Sequence, residues 1–481
     1  MAMPITSPAF KDNAHRALQD PNLRKAMAII AGPMASRRVE TAQQLPEFDA
    51  LRDEAVDIRN HVLAHLDIYL DRFEQAATAR GAKLHWCRTP REAREVILAL
   101  CRARDAKTVT KGKSMVTEEI GLNDFLEQNG IQPIETDLGE YIIQLAHEPP
   151  SHIIGPALHK TREQVADLFE EHHPDYEING VKAGRRSTEP QSLVSEARTM
   201  LREKYFQADV GITGANFLVA ENGATIIVTN EGNGDLTQSL PKMHIVVSSI
   251  EKVVPTLEDV STILRVLARS ATGQEMSVYT TLSCGPKRAD DVDGPEEMHI
   301  VLLDNGRSEM LGGELQDLMR CIRCGACMNN CPVYQSVGGH AYGWVYPGPI
   351  GAALDPHLIG LEAAQHLPNA STFCGKCEEV CPMRIPLPRI MRHWREQAHE
   401  KQITPPLQRW GIEAWAWLVQ RPLLYRLLAG LGMSVLGQLG RARGRFRSLP
   451  LAGGWTDARD FPAPQGPTFM AQWRQRQRGG S

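Results

Sequence analysis

Seven of the ten cysteines in this 481-residue chain fall between Cys321 and Cys381. The first group, Cys321-Ile-Arg-Cys324-Gly-Ala-Cys327-Met-Asn-Asn-Cys331-Pro332, has the spacing C-x2-C-x2-C-x3-C-P associated with four-iron clusters. Three thiolates at intervals of three residues reach three corners of one cube, while the fourth, at the start of a helix, points to another. Gly325 and Ala326 keep the turn slim, so that backbone N–H groups approach the cluster sulfurs and tune the potential. Pro332 suits a first helical turn, where its missing N–H costs nothing.

The second group, Cys374-Gly-Lys-Cys377-Glu-Glu-Val-Cys381-Pro382, is C-x2-C-x3-C-P, with Ser371 where a first cysteine would stand. Interleaving assigns Cys321, Cys324, Cys327 and Cys381 to one complete cluster. It leaves Cys331, Cys374 and Cys377 to a second, one thiolate short. A three-iron cluster meets that shortage; so does a four-iron cluster completed by Ser371, solvent, the distant Cys284 or a partner protein. Zinc also takes four thiolates, but in separated C-x2-C knuckles, and does not ask for seven thiols. Cys87 and Cys101, in apolar surroundings, read as small core residues. Two clusters mean electron transfer, in a reducing compartment.

Other polar groups are weaker signals. Gly112-Lys113-Ser114 looks like the end of a phosphate-binding loop, but Lys107 stands where its first glycine belongs, so ATP is not supported. Gly232-Asn-Gly234 lacks the third glycine of a dinucleotide fingerprint and reads as a turn. Lys111, Lys113, Ser114, Glu118 and Glu119 follow one expected strand, and Glu135, Asp137 and Glu140 the next. Open α/β sheets bind ligands at such strand ends, where the lysines would hold a small carboxylate; a solvated charged rim is the alternative. Asn216, Glu221, Asn222 and Thr229 make a second polar set inside apolar runs. Asp304-Asn305-Gly306-Arg307 reads as a turn into the cysteine region, and His152 and His159 as satisfied structural histidines.

These groups need a scaffold, and a chain of this length suggests roughly three units. With 42% hydrophobic residues and a net charge of −4, it is neither disordered nor a globally basic nucleic-acid binder. The opening MAMPITSPAFKDNAHR is polar, carries Asp12 and does not read as a secretory signal, which points to the cytosol. Ala55, Ile58, Val62, Leu66, Tyr69 and Phe73 recur at helical intervals. Runs at 108–110, 210–213, 217–219, 225–229, 244–248 and 299–303 predict strands alternating with helices such as 257–268. That pattern is an α/β domain with a largely buried sheet. Asn222-Gly223 predicts a hairpin that would make this sheet mixed.

The 42 residues between Cys331 and Cys374 include Tyr346-Pro347-Gly348-Pro349 and an expected helix from about His357 to His366. A compact βαββαβ ferredoxin has less room there, so an α-helical two-cluster ferredoxin-type domain is expected. From residue 401 onward 12 Lys/Arg stand against 3 Asp/Glu, a net +9, and five of the eight tryptophans lie there. Leu423 to Leu439 is apolar but holds Arg426, Gln438 and three glycines, which falls short of an uninterrupted membrane span. Trp410, Trp415 and Trp417 precede it, and Arg441, Arg443, Arg445 and Arg447 follow. An interfacial or partner-binding role therefore stands beside ordinary helical packing. The expected units are a helical extension over 1–60, the α/β domain over 61–305, the two-cluster domain over 306–400 and a basic, Trp-rich helical region over 401–481.

Several segments together resemble one family, the iron–sulfur lactate utilization protein B. They are Lys113-Ser-Met-Val-Thr-Glu-Glu-Ile120, Glu135-Thr-Asp-Leu-Gly-Glu-Tyr-Ile142, Pro150-Ser-His-Ile153, Gly214-Ala-Asn-Phe217, Asp304-Asn-Gly-Arg307 and His340-Ala-Tyr-Gly-Trp-Val-Tyr-Pro347. The resemblance implies a lactate-utilization domain similar to the sugar-phosphate isomerase and CoA-transferase-like α/β fold, then two iron–sulfur clusters and a family-specific C-terminal region. It implies a role in oxidising L-lactate to pyruvate beside two sister subunits, one cysteine-rich and similar to heterodisulfide reductase, the other a second lactate-utilization domain. A serine in place of the eighth cysteine is shared by the family, and Cys284 matches no ligand position. Lactate gives up two electrons at C2 whereas each cluster passes one. The expected role is therefore the electron-transfer subunit of a lactate dehydrogenase complex, with no catalytic residue assigned. A catalytic hydroxy-acid or transferase-type α/β enzyme with structural clusters, and a redox sensor, are the alternatives. The expected setting is cytoplasmic, without nucleic acid, with the C-terminal region as a point of peripheral membrane contact.

Overall fold

Valine-, isoleucine- and threonine-rich runs closed by polar turns become strands, and the amphipathic segments between them become helices. The computed structural model describes residues 5–178, 181–182, 184–449, 453–456 and 459–479. The chain divides into two compact units, Met1–Ala398 and His399–Ser481.

In the first unit the strands are, in chain order, β1 (Lys83–Cys87), β2 (Thr108–Lys111), β3 (Gln132–Glu135), β4 (Glu177–Ile178), β5 (Val181–Lys182) and β6 (Val210–Gly214). They continue with β7 (Phe217–Val219), β8 (Thr225–Thr229), β9 (Met243–Ser249), β10 (Val253–Val254), β11 (Tyr279–Ser283) and β12 (Glu297–Leu303). Six of them form one sheet in the order β1-β12-β9-β6-β2-β3, with every neighbouring pair parallel. All of β9 is buried, as a parallel strand covered on both faces requires. Val109, Ile212, Ile245 and Val301 share a core with Ile97 and Cys101 of the helix Pro90–Ala103. That helix starts where the Thr89 hydroxyl accepts from the Glu92 N–H and Pro90 needs no partner.

The strand order puts a topological switch between β2 and β6. The chain runs outward from β2 to β3, then returns through β6, β9 and β12 to the edge formed by β1. The crevice beyond the carboxyl ends of β2 and β6 is where sheets of this kind hold ligands.

The hairpin expected at Asn222-Gly223 forms between β7 and β8, but in a separate four-stranded sheet, β10-β7-β8-β11. The main sheet is therefore wholly parallel rather than mixed. Gly223 has φ +69, and a Cβ there would lie 2.3 Å from the Ala77 nitrogen, so only glycine lets the turn reach that helix. β1 and β11 escape sequence reading because their residues are mostly half-buried or exposed and carry no continuous apolar run.

The helices Phe48–Ala64 and Leu66–Ala79 bury Ala55, Val62, Leu66 and Phe73, the stripe expected from the sequence. From residue 304 to 398 the described residues hold short helices and no strand. The helix expected over 357–366 is not continuous. Gly348–Leu358 ends at Ile359, Gly360 turns the chain at φ +92, and two short helices, Leu361–Ala364 and His366–Ala370, follow.

The second unit contains the helices Pro406–Val419 and Pro422–Gly440. The segment read as interrupted by Arg426, Gln438 and glycines is one continuous 19-residue helix, since a single arginine and isolated glycines weaken a helix without ending it. By length and composition it is the one candidate membrane span among the described residues, with little of its surface buried. Leu407, Trp410, Trp415, Leu423, Leu427 and Leu439 are exposed.

Candidate functional site

The turn from Cys321 to Cys327 bends at Arg323 (φ +58) and Gly325 (φ +71) before the one-turn helix Ala326–Asn329. Its three cysteines and Cys381 line one small cavity, closed by Ile322, Ile350, Met383 and Leu387. Cys331, Cys374 and Cys377 line a second, together with Ser371. Ser371 is held by the Phe373 N–H, which donates to its hydroxyl at 3.2 Å. Cys284 is exposed and lines neither cavity, while Cys87 and Cys101 are buried in the α/β core.

Burial pushes the Cys324 and Cys377 thiols up to about 12 and Cys381 up to about 11, with neighbouring cysteines adding to the shift. So many thiolates cannot share apolar cavities unless cations bind them, and iron–sulfur clusters supply those cations. The donor chemistry therefore fits two clusters. N–H groups of Met383 and Ile385 point at the Cys381 sulfur, and those of Val333 and Tyr334 at the Cys331 sulfur, where the helix Pro332–Val337 begins. Such contacts stabilise charge on the sulfurs.

The N-terminal helices bring arginines to the first cavity. Arg38 Nη2 donates to the Val380 carbonyl at 2.5 Å; Arg52 Nη2 donates to the carbonyls of Glu379 (2.9 Å) and Cys381 (2.7 Å). Arg59 donates to the carbonyls of Met319, Val253 and Glu251. All three are buried. Arg52 also pairs with Asp49 one turn earlier, but the partners that tie the three to the cysteine region are main-chain carbonyls far along the chain, which nothing in the sequence marks.

A larger cavity of about 490 Å³ lies at the switch point. Gly112, Lys113 and Ser114 after β2, Asp137 after β3 and Asn216 after β6 form one side, and Ile322, Arg323 and Cys324 close it on the cysteine side. Lys113 donates to the Ile154 carbonyl at 2.5 Å and lies 3.6 Å from Asp137. Asn216 Oδ1 accepts from the Val228 N–H, and Thr229 also lines the cavity. Glu221 and Asn222 do not reach it: Glu221 accepts from the Leu257 N–H and Asn222 from the Ala224 N–H within the hairpin.

The acidic groups expected to gather with the lysines divide into three sets, of which Asp137 beside Lys113 is one. Lys111 is fully buried, 2.8 Å from Glu118 and 2.7 Å from Glu135, so it is spent internally and cannot hold a substrate carboxylate. Burial alone would lower its pKa, but the two carboxylates raise it. Glu140 beside them is pushed well above the carboxylate range by burial, with Glu118 and Glu135 adding to the shift. Glu119 instead joins Arg307 (2.9 and 2.7 Å), Tyr346 (2.6 Å) and Asn305 (2.6 Å). Those contacts overcome its burial and lower its pKa. Asp304–Arg307 is thus more than a turn, since Arg307 is buried between Glu119 and Glu251. His152 is buried and satisfied, accepting from Ile154 and Gly155 and donating to Asn329 at 2.8 Å; burial lowers its pKa to about 4. A Cβ on Gly325 would meet its ring at 3.2 Å, so the slim turn also serves packing. His159 bonds Ser151 and Glu148.

A family model described as the LUD domain matches residues 70–303, and one described as a 4Fe-4S dicluster domain matches residues 317–385. Lactate utilization protein B of Anoxybacillus flavithermus (strain DSM 21510 / WK1) is 40% identical over 484 residues, 99% of each chain. That of Geobacillus sp. (strain WCH70) is 41% identical over 489 residues, spanning both chains in full. The uncharacterized electron transport protein YkgF of Escherichia coli (strain K12) is 41% identical, over 99% of this chain and 98% of its own. A solved DUF162 family protein from Deinococcus radiodurans aligns with 50% of this chain and 98% of its own. Its identity of 14% and TM-score of 0.28 are too low to carry an argument.

Proposed function

Since the chain belongs to the lactate utilization protein B family, we propose that it is the electron-relay subunit of a complex that oxidises L-lactate to pyruvate. The relatives' name and the 4Fe-4S dicluster domain support a role in lactate utilization and iron–sulfur electron transfer. The observation that carries the relay is the pair of neighbouring cysteine-lined cavities, the first buried and the second reaching the surface at Cys374.

In this reading Cys321, Cys324, Cys327 and Cys381 hold one [4Fe–4S] cluster, and Cys331, Cys374 and Cys377 hold the second. Ser371, which lines the second cavity, offers a hydroxyl to the remaining iron; solvent, a partner's ligand or a three-iron cluster are the alternatives. The clusters supply one-electron acceptance and donation. Ile350, Met383 and Leu387 keep water from the first cavity, and the N–H groups around Cys331 and Cys381 stabilise sulfur charge. Removing two electrons from C2 of lactate lies beyond single-electron carriers, so a partner performs or completes that step. Two sister subunits, one cysteine-rich and one a second lactate-utilization domain, are the proposed partners. The C-terminal unit, with its exposed tryptophans and arginines, is the proposed contact with the inner face of the membrane.

Anaerobic iron and sulfide counting with EPR, with and without the sister subunits, tests the assignment. Cys324→Ser is expected to remove one cluster's signal and Cys374→Ser the other's. The isolated chain should show both signals and little lactate turnover, and robust turnover by the isolated, flavin-free chain overturns the relay. The cavity at the strand ends favours a second reading, an α/β catalytic site with structural clusters. In that case Cys324→Ser would lower stability and leave turnover by the surviving fold intact.

A further inference from the structure

The 490 Å³ cavity and the first cysteine cavity share a wall: Ile153, Ile322, Arg323 and Cys324 line both. A molecule in the larger chamber therefore lies one layer of residues from the sulfur-lined one. The chamber sits outside the carboxyl ends of β2, β3 and β6, at the switch point where the polar ends of strands converge.

Its cations are paired more loosely than Lys111: Lys113 lies 3.6 Å from Asp137 and Arg323 3.8 Å from Glu251. Lys252, on the turn between β9 and β10, is more than nine-tenths buried and lines the chamber. It makes no hydrogen bond or ion pair among the described residues. Burial brings its ammonium down to about 8. Glu251 and Cys321 offset part of that cost through space, but neither bonds the ammonium, which leaves it able to take an anionic ligand. Arg323 Nη1 and Thr229 Oγ1 are likewise buried without a hydrogen bond. Lys113 shares the wall. Against these cations stand Asp137 and Glu231, and burial raises Glu231 above the usual carboxylate range. Much of the remaining lining is apolar, including Ile142, Leu158, Ile227 and Leu267. A chamber with a modest cationic excess and hydrocarbon walls suits an organic anion of low charge better than a polyphosphate.

We propose that this chamber binds a small organic monocarboxylate of the hydroxy-acid or keto-acid class, its carboxylate on Lys252 and Lys113 and its neutral oxygen toward Thr229. The choice of acid rests on the lactate-utilization reading. The chamber's place beside Cys324 puts the organic anion next to the electron carrier in this same chain.

The test uses the full-length chain with its clusters reconstituted anaerobically, titrated by calorimetry with L-lactate, D-lactate, pyruvate and acetate. One saturable site is expected for lactate or pyruvate, at least tenfold weaker in Lys252→Met, with Thr229→Val weakening lactate more than acetate. Both variants should keep the iron content and EPR spectrum of the unaltered chain, which shows that they fold. Absence of saturable binding by all three larger acids overturns the proposal, as does binding that neither variant weakens. Failure of the relay reading alone looks different: the acid still binds, but reduced clusters pass no electrons to the partner subunits.

Discussion

Replacing Arg38 by Gln should lower the midpoint potential of the first cluster and leave the second nearly untouched. Arg38 is buried, its guanidinium bonded to the carbonyl of Val380, the residue before Cys381, and it feels the charges of Cys324 and Cys381. A cation favours the reduced, more negative state of a cluster, so its loss makes reduction harder. The 2.5 Å bond to the Val380 carbonyl, one Cα–Cα step to Cys381 and the reach of its side chain set the separation at roughly 8 Å. At an effective dielectric constant of about 20 the interaction is then about 2 kcal/mol, or about 90 mV for a one-electron couple. EPR-monitored redox titration of the anaerobic chain measures it. Arg38→Lys, which keeps the charge and loses only the fork of donors, should shift the potential by less than about a third of that. Equal shifts in Gln and Lys variants would mean that packing, not charge, sets the potential. A shift confined to the second cluster would refute the placement of Arg38 beside the first.

Glu119→Ala strips Arg307 of two hydrogen bonds and leaves Tyr346 and Asn305 without their acceptor in a buried site, so denaturant unfolding should show a loss of about 3–5 kcal/mol. The exposed pair Lys182–Asp175 is the control, and Lys182→Ala should leave the midpoint in place. Acid should also destabilise the fold through Glu251. Burial would raise its pKa, but Arg307 and Arg323 outweigh that and hold it down at about 2. Its stabilisation is full above the ordinary carboxylate range and is lost as pH falls from about 5 through about 2, and Glu251→Gln should flatten that part of the stability profile. Trp410→Ala and Trp415→Ala should each weaken binding of the full chain to anionic vesicles roughly tenfold, about 1.5 kcal/mol per aromatic. Added salt should weaken it further. No sedimentation of the unaltered chain with such vesicles would end the membrane proposal.

What could be read from the sequence was what is local. Three cysteines on one turn, the periodic stripe from Ala55 to Phe73 and the apolar run of β9 each carry their signal within about twenty residues. The α/β domain followed by a helical cysteine-rich domain was legible for that reason. Partner choice among charges was not. Lys111 is the last residue of β2, whereas Lys113 lies beyond the strand's end, so no strand periodicity relates them: one enters a buried pair with Glu118 and Glu135 and the other reaches the chamber wall. Lys252 gave a faint signal, a charged residue inside Ile250-Glu251-Lys252-Val253-Val254, where apolar neighbours on both sides foretell burial. Arg38, Arg52 and Arg59 gave none, because carbonyls are everywhere and leave no mark in a sequence.

These long-range contacts explain why the segments that carry the family resemblance lie so far apart in the chain. Glu119 comes from the first of them, Asn305 and Arg307 from the fifth and Tyr346 from the sixth, yet all four side chains meet at one buried carboxylate. Arg307 passes on to Glu251, the neighbour of Lys252, and Arg323 of the cysteine turn lies over the Tyr346 ring at 4.5 Å. One network therefore ties the chamber lysine, the first cysteine cavity and the segment between the cysteine groups. Removing Glu119, Arg307 or Tyr346 from it should disturb cluster retention and carboxylate binding together. A relay with a binding site needs that coupling, because a chamber that moved relative to Cys324 would hold its anion at no fixed distance from the electron carrier.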